Sequence, residues 1–383
     1  MNFKVNRNQL LQALQHTRCH LPSFSINYAN HYKITLNGDK LYITGVNLLL
    51  FITESIPLEE TPTDAQEPQT FYIHATTLVK AIKALDNQPL EFLIEEYQLT
   101  VRHADGYFQL PIIDSMSFPE PKPMTQDEAL HLHMEAPGLY SQLSKVAFAT
   151  ASEEDLRPAL SGVFMEIEKD RINYTATDGR LLVSIVHPCK QPNAETGQLL
   201  MPRKVADALL KVLPKTGYCD LYVQGLQAMI IIEDNIVIRF GCVDSKFPNY
   251  RSVLPEEFST HFDVDRRQIL KTLDRIGLFC SEARRVKINL EGDNLTFRTQ
   301  DLEENMLSSE HIPCQVTKRS DFFSRGILCN IRRLGRLIRS TKSDRVMFNV
   351  VSSERAFTIT PMPESDLEHI TLLLMPMMQD DND

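Results

Sequence analysis

The sequence predicts an α+β protein of three tandem domains, each with two helices plus antiparallel sheets. Three observations predict it. A helix followed by extended segments recurs about every 64 residues, six times over. Two different hairpins alternate along that repeat, so the six units pair into three. The 383 residues also exceed what one hydrophobic core holds. A period this regular marks one supersecondary unit copied in tandem.

Helices are expected to begin near Asn8, Ala75, Pro137, Arg203, Arg266 and Ile331, at spacings of 67, 62, 66, 63 and 65 residues. The last is the clearest. Ile331, Leu334, Leu337 and Ile338 form an apolar stripe, while Arg332, Arg336 and Arg339 share the opposite face at i, i+4, i+7. One hairpin recurs at 33–47, 163–178 and 286–301, alternating apolar and polar residues on both arms. Each copy turns through four polar residues with Asp third (Asp39, Asp170, Asp293), a residue whose short side chain bonds nearby backbone N–H groups. The second hairpin starts at Leu90, Leu221 and Val346. Domains are therefore expected at 1–124, 125–252 and 253–383.

The chain carries a formal charge of −10, yet all six helix windows are net positive and together hold +14. One basic helix is usually a solvated face. Six at equal spacing on an acidic chain point to a shared polyanion contact. Seven cysteines without CxxC or metal-finger spacing read as free or buried thiols of a reducing compartment. The opening MNFKVNRNQL lacks the apolar stretch of a signal peptide, and the longest apolar runs are too short to span a membrane. A cytoplasmic protein is expected, with no membrane partner. No Gly-rich phosphate loop, GxSxG or HExxH occurs, so no catalytic residue, metal or cofactor is expected. His131 and His133 share a strand face, but no third ligand is evident. Glu153, Glu154 and Asp155 read as a solvated loop rather than a cation site.

Four stretches carry a resemblance. RPALSGV (157–163), TATDGRL (175–181), FPNYRSVLP (247–255) and LLLMPM (372–377) follow in order on the repeat. With the opening MNFKV, they resemble the bacterial sliding clamp, the beta subunit of the replicative DNA polymerase, over essentially the whole length. Departures mark a divergent member: Arg180-Leu181-Leu182 after Asp178-Gly179, Ser252 where a second Arg is frequent, the segment 20–30, and the added tail 378–383.

The resemblance implies three DNA-clamp domains closing as a head-to-tail dimeric ring around duplex DNA, without reading its sequence. The implied partners are DNA, a second copy of the chain, the polymerase catalytic subunit, the clamp loader and other proteins bearing short clamp-binding peptides. It places a peptide pocket at Leu160, Thr177, Gly179, Arg180 and Leu182, at Pro248 and Val253, and at Leu373, Met375, Pro376 and Met377. Leu and Met there suit an adaptable apolar groove. The ring interface maps to Phe108 and Leu110 against Leu278 and Phe279. DNA-facing matches are Lys83, Arg203, Lys204, Arg275, Arg332, Arg333 and Arg336; helix geometry adds Lys80, Lys145 and Arg339. The alternative is a clamp-fold paralogue that serves as a peptide-binding scaffold without encircling DNA.

Overall fold

A computed structural model describes residues 2–19, 27–48, 50–61, 67–152, 154–189, 196–301, 303–320, 325–364 and 368–378. Glu153, residues 20–26 of the divergent segment and residues 379–383 of the tail lie outside them. The repeat is a strand, a helix and three strands. The first copy is β1 (Asn2–Asn6), α1 (Arg7–His16), β2 (His31–Asn37), β3 (Lys40–Asn47) and β4 (Leu50–Pro57). The second is β5 (Gln69–His74), α2 (Ala75–Lys83), β6 (Pro89–Glu95), β7 (Gln98–His103) and β8 (Gly106–Ile113). The third is β9 (Leu130–Glu135), α3 (Ala136–Val146), β10 (Gly162–Ile167), β11 (Arg171–Thr177) and β12 (Leu181–Pro188). The fourth is β13 (Gly197–Pro202), α4 (Arg203–Val212), β14 (Tyr218–Gln224), β15 (Gln227–Ile232) and β16 (Ile236–Gly241). The fifth is β17 (Thr260–Asp265), α5 (Arg266–Ile276), β18 (Arg285–Glu291), β19 (Asn294–Asp301) and β20 (Met306–Lys318). The sixth is β21 (Ile327–Asn330), α6 (Ile331–Arg339), β22 (Arg345–Val350), β23 (Phe357–Met362) and β24 (His369–Leu374).

Three of the helices, α1, α5 and α6, start at a capping side chain. Asn6 accepts from the N–H groups of Asn8 and Gln9, Asp265 from Gln268 at 2.8 Å, and Asn330 from Arg333 at 3.1 Å. The hairpin aspartates act through the main chain as well as by turn preference. The carbonyls of Asp39, Asp170 and Asp293 accept from Leu58, Cys189 and Cys314, holding the third strand of each copy.

Copies exchange their first strands. β1 pairs with β6 and β5 with β2; β9 pairs with β14 and β13 with β10; β17 pairs with β22 and β21 with β18. Last strands then join copies three apart, β4 to β16 and β12 to β24. Two twelve-stranded sheets result. The chain accordingly packs as two compact units, Met1–Tyr140 with Asp207–Cys242, and Ser141–Ala206 with Val243–Asp383. The middle third is shared between them because its sheets continue those of its neighbours.

In the first unit Leu10, Ala13 and Leu14 of α1 and Leu78, Val79 and Ile82 of α2 are buried against Phe3, Phe92, Ile34 and Phe71 of the strands. In the second, α6 buries Ile331, Leu334, Leu337 and Ile338, the stripe expected from the sequence. None of the seven cysteines is in a disulfide, and five of them are buried. Among the described residues no helix is long and apolar enough to cross a membrane.

Candidate functional site

The β12–β24 ladder carries a cavity of about 400 Å³ in the second unit. Leu182 faces Leu373 across the two strands, and a short helical turn, Pro158–Leu160, brings in Leu160. These three leucines are at most 5% exposed and make the floor. Val253 (50% exposed) and Met375 (42%) form an apolar rim, in which the unbranched methionine can adapt its rotamer. Pro248 and Tyr250 close one side. Their segment is pinned from below: Phe247 stacks on Phe164 at 4.7 Å, the Tyr250 hydroxyl donates to Glu166 at 2.8 Å, and Arg251 donates twice to the same carboxylate (3.0 and 2.8 Å).

The turn between β11 and β12 makes the other wall. Thr177 Oγ1 donates to the Leu181 carbonyl (2.6 Å) and accepts from the Gly179 N–H (3.0 Å). Asp178 Oδ1 accepts from the N–H groups of Arg180 (2.8 Å) and Leu181 (2.9 Å), while Oδ2 accepts from Arg333 Nε at 3.1 Å. Gly179 has φ +82, and a Cβ there would stand 2.7 Å from an Arg157 nitrogen. The positive φ favours glycine, whereas the Arg157 guanidinium, at the end of a flexible exposed side chain, could shift to admit a Cβ. Arg157 in turn donates to both oxygens of Asp155 and to the Asp178 carbonyl. Those bonds hold the Asp155 carboxyl down at about 2.

Nine of the eleven expected pocket positions line this one cavity; Pro376 and Met377 do not. The Met375 N–H is bound to the Arg180 carbonyl (2.8 Å), and the Met377 N–H donates to Leu328 at 2.7 Å, which carries the chain off along β21. Arg157, Ala159, Leu181, Lys246, Asn249 and Tyr250 line the cavity without having been singled out. Their signal was present, since five of them lie in or beside the quoted stretches and Lys246 precedes Phe247 directly.

Of the ten helix-associated cations, Lys80, Lys83, Lys204, Arg275, Arg332, Arg336 and Arg339 are exposed. Lys145, Arg203 and Arg333, together with the exposed Arg275, Arg336 and Arg339, bond to groups of this chain. Lys145 pairs with Glu368 at 2.5 Å, and Arg203 donates to the Ala147 carbonyl and to Thr150 Oγ1. Arg333 holds Asp178, Arg275 grips Glu310 twice, and Arg339 pairs with Asp274. Arg336 donates to the Phe148 carbonyl and lies 5.1 Å over its ring. Lys145, Arg203 and Arg333 are only partly exposed, so positive charge in the sequence marked internal anchors as well as surface.

At the expected interface positions, Phe108 and Leu110 lean on the first core while Leu278 (75% exposed) and Phe279 face solvent. Among the described residues, 106–111 of β8 pair only with β7, and 306–311 of β20 only with β19. His131 and His133 both bond Asp220 Oδ1, at 2.7 and 3.0 Å, and stack on Tyr222 and Tyr218. Among the described residues no group of three His, Cys, Asp or Glu side chains could hold a metal ion.

Models of the DNA polymerase III beta subunit match the chain throughout: the N-terminal domain at 1–122, the central domain at 134–249 and the C-terminal domain at 251–378. The beta sliding clamp of Pseudomonas aeruginosa is 25% identical over 321 residues, 81% of this chain and 83% of that one. That of Mycoplasma capricolum is 20% identical over 385 residues, 97% and 98% of the two chains. The crystal structure of the DNA polymerase III subunit beta from Pseudomonas aeruginosa superposes with a TM-score of 0.89 at 22% identity, covering 99% of this chain and all of that one. The beta subunit of Thermotoga maritima gives 0.89 at 19% identity with the same coverage. A Pseudomonas aeruginosa sliding clamp bound to griselimycin gives 0.87 at 22% identity, again over 99% of this chain and all of that one. Three clamp domains of α+β type, matched end to end, establish that the chain belongs to the DNA polymerase III beta subunit family.

Proposed function

We propose that the chain is a sliding clamp: two copies close into a ring around duplex DNA, and a peptide groove on each tethers the polymerase and other partners. It is a processivity subunit rather than an enzyme, and it works in the cytoplasm. Its three repeat domains are 1–124, 125–252 and 253–383. The observation that carries the reading is the apolar β12–β24 cavity on a chain matched along its whole length by clamp-domain models. Leucine floor, methionine and valine rim and a rigid strap suit a short linear peptide.

Ring closure rests on two incomplete strands. The open edges of β8 and β20 are the places where a partner copy can continue the ladder, β8 of one protomer against β20 of the other, twice around a two-fold axis. Leu278 and Phe279 at the end of α5, with Tyr107 and Leu307 on the strands, supply exposed apolar surface for that contact. Lys80, Lys83, Lys204 and Arg332 are the cations presented to phosphates. They attract the backbone without reading bases, so the ring slides.

The test is retention on DNA. After loading onto nicked circular DNA by a clamp loader, the protein should co-elute with the circle and be lost when the circle is linearised. Equal retention on linear DNA, or none on circles, refutes encirclement. The partly buried, partnered Lys145, Arg203 and Arg333 favour the scaffold alternative, which predicts peptide binding by a protein that never co-elutes with circles.

A further inference from the structure

The inference rests on reading the β12–β24 cavity as a peptide groove. That ladder has a counterpart in the first unit. β4 pairs with β16 as β12 pairs with β24, and Phe51 faces Arg239 where Leu182 faces Leu373. The connecting segments repeat as well. Asp114-Ser115-Met116-Ser117-Phe118-Pro119 follows β8, and Asp244-Ser245-Lys246-Phe247-Pro248 follows β16. Phe118 and Pro119 line a cavity of about 200 Å³ at the first-unit ladder, and Pro248 lines the groove at the other.

Their chemistry differs. Arg239 occupies the place of Leu373 and is exposed, with its Nε directed at Met229 Sδ (3.4 Å), a weak acceptor. Lys33 is already neutralised by Glu120 of the strap. The walls are mixed: Phe51, Val237 and Phe118, which is itself held by Tyr72 at 5.4 Å, supply apolar surface, while Thr44, Thr53 and the Lys33–Glu120 pair supply polar surface. A purely apolar anchor would strip water from the Arg239 guanidinium without replacing its hydrogen bonds. A carboxylate would satisfy it, and a guanidinium binds that group in fork geometry. Half the volume of the main groove leaves room for one anchor and its neighbour, not a run of apolar side chains.

We propose that the β4–β16 cavity is a second docking site on the clamp, taking a short peptide that presents an acidic side chain beside an aromatic or aliphatic one. One protomer then holds two partners of different sequence, on pseudo-equivalent ladders of its two units.

Random octapeptides displayed on phage, selected against the whole protein, test this. Enriched peptides are then titrated by fluorescence anisotropy against wild type, Arg239→Glu and Met375→Ala, both exposed positions. One class should pair Asp or Glu with Phe or Leu, weaken by roughly tenfold or more on Arg239→Glu, ignore Met375→Ala, and recover on Arg239→Glu when its acidic residue is changed to Lys. Absence of that class, or its indifference to Arg239→Glu, overturns the proposal. The main groove is scored separately by a second, apolar class that loses affinity on Met375→Ala only; its absence counts against the groove reading itself.

Discussion

Arg333 was legible in the sequence as one more cation on a basic helix. Its structural place predicts that it acts on the peptide groove. Its Nε donates to Asp178 Oδ2 at 3.1 Å, and the other oxygen of that carboxylate fixes the N–H groups of Arg180 and Leu181 in the groove wall. Asp178 is 18% and Arg333 30% exposed, so the pair lies between surface and interior. Opposite charges about 3 Å apart attract by about 5 kcal/mol at an effective dielectric of about 20, before desolvation and side-chain ordering offset most of it. A net coupling of about 1–2 kcal/mol remains, above the surface-pair range and below that of a dry one. Arg333→Ala should therefore lower stability by about 1 kcal/mol and, because the turn still keeps its two backbone bonds, weaken groove binding by about three- to tenfold. The assay is a double-mutant cycle with Asp178→Asn, read by both thermal melting and isothermal titration with a clamp-binding peptide. A coupling below about 0.3 kcal/mol in both readouts refutes the argument. So does an Arg333→Ala protein that binds peptide normally but loses circular DNA as readily as Arg332→Ala.

Other perturbations follow from the same geometry. Leu160→Ala with Met375→Ala empties the floor and rim together and should abolish peptide binding while the protein still melts cooperatively; surviving affinity for a polymerase tail would displace the groove from β12–β24. Leu278→Asp with Leu307→Asp adds charge to the surface beside the open edges of β8 and β20 and should shift the protein to monomer in sedimentation velocity; an unchanged dimer would move the interface elsewhere. Burial pushes the Glu368 carboxyl up, but hydrogen bonds from Lys145 and Gln142 and the lysine charge outweigh it, leaving the pKa below the ordinary value. Its contribution is complete above the ordinary glutamate pKa and disappears as pH falls through the depressed folded value. Glu368→Gln should thus cost about 2 kcal/mol at neutral pH, and the difference from wild type in pH-dependent melts should close on acidification; a gap that persists at low pH would contradict it.

Local features of the fold were readable because their causes are local. The six helices begin within one residue of the expected positions, since Asn6, Asp265 and Asn330 cap where the apolar period starts. Both hairpins appear as strand pairs at the expected places, because alternation and turn residues lie side by side in the chain. Long-range pairing was not readable. Nothing near Leu50 indicates that Phe240 is its partner, or near Leu181 that Leu374 is. The repeat divides the chain into thirds without showing how strand pairing shares the middle copies between two compact units. Side-chain partners were unreadable for a related reason: the sequence shows that Lys145 and Arg203 are basic, not that Glu368 and the Ala147 carbonyl lie beside them. Nine of the expected positions share one cavity because they come from short stretches whose spacing the fold preserves, while at the chain's end Met377 bonds to Leu328 and Pro376 and Met377 lie outside that cavity.

The exchange of first strands and the joining of last strands set a timetable for the newborn protein. β4, with its apolar Leu-Phe-Ile start, has no ladder on its far side until β16 exists; Ser55 and Asn235, which bond across that junction, are 180 residues apart. At about 5–20 residues per second, translation leaves that edge uncovered for roughly 10–40 s. During this interval β4 of one nascent chain on a polysome can meet β16 of the chain ahead. Synthesis rate and chaperone cover, as well as final stability, thus govern how much of this protein reaches its native pairing.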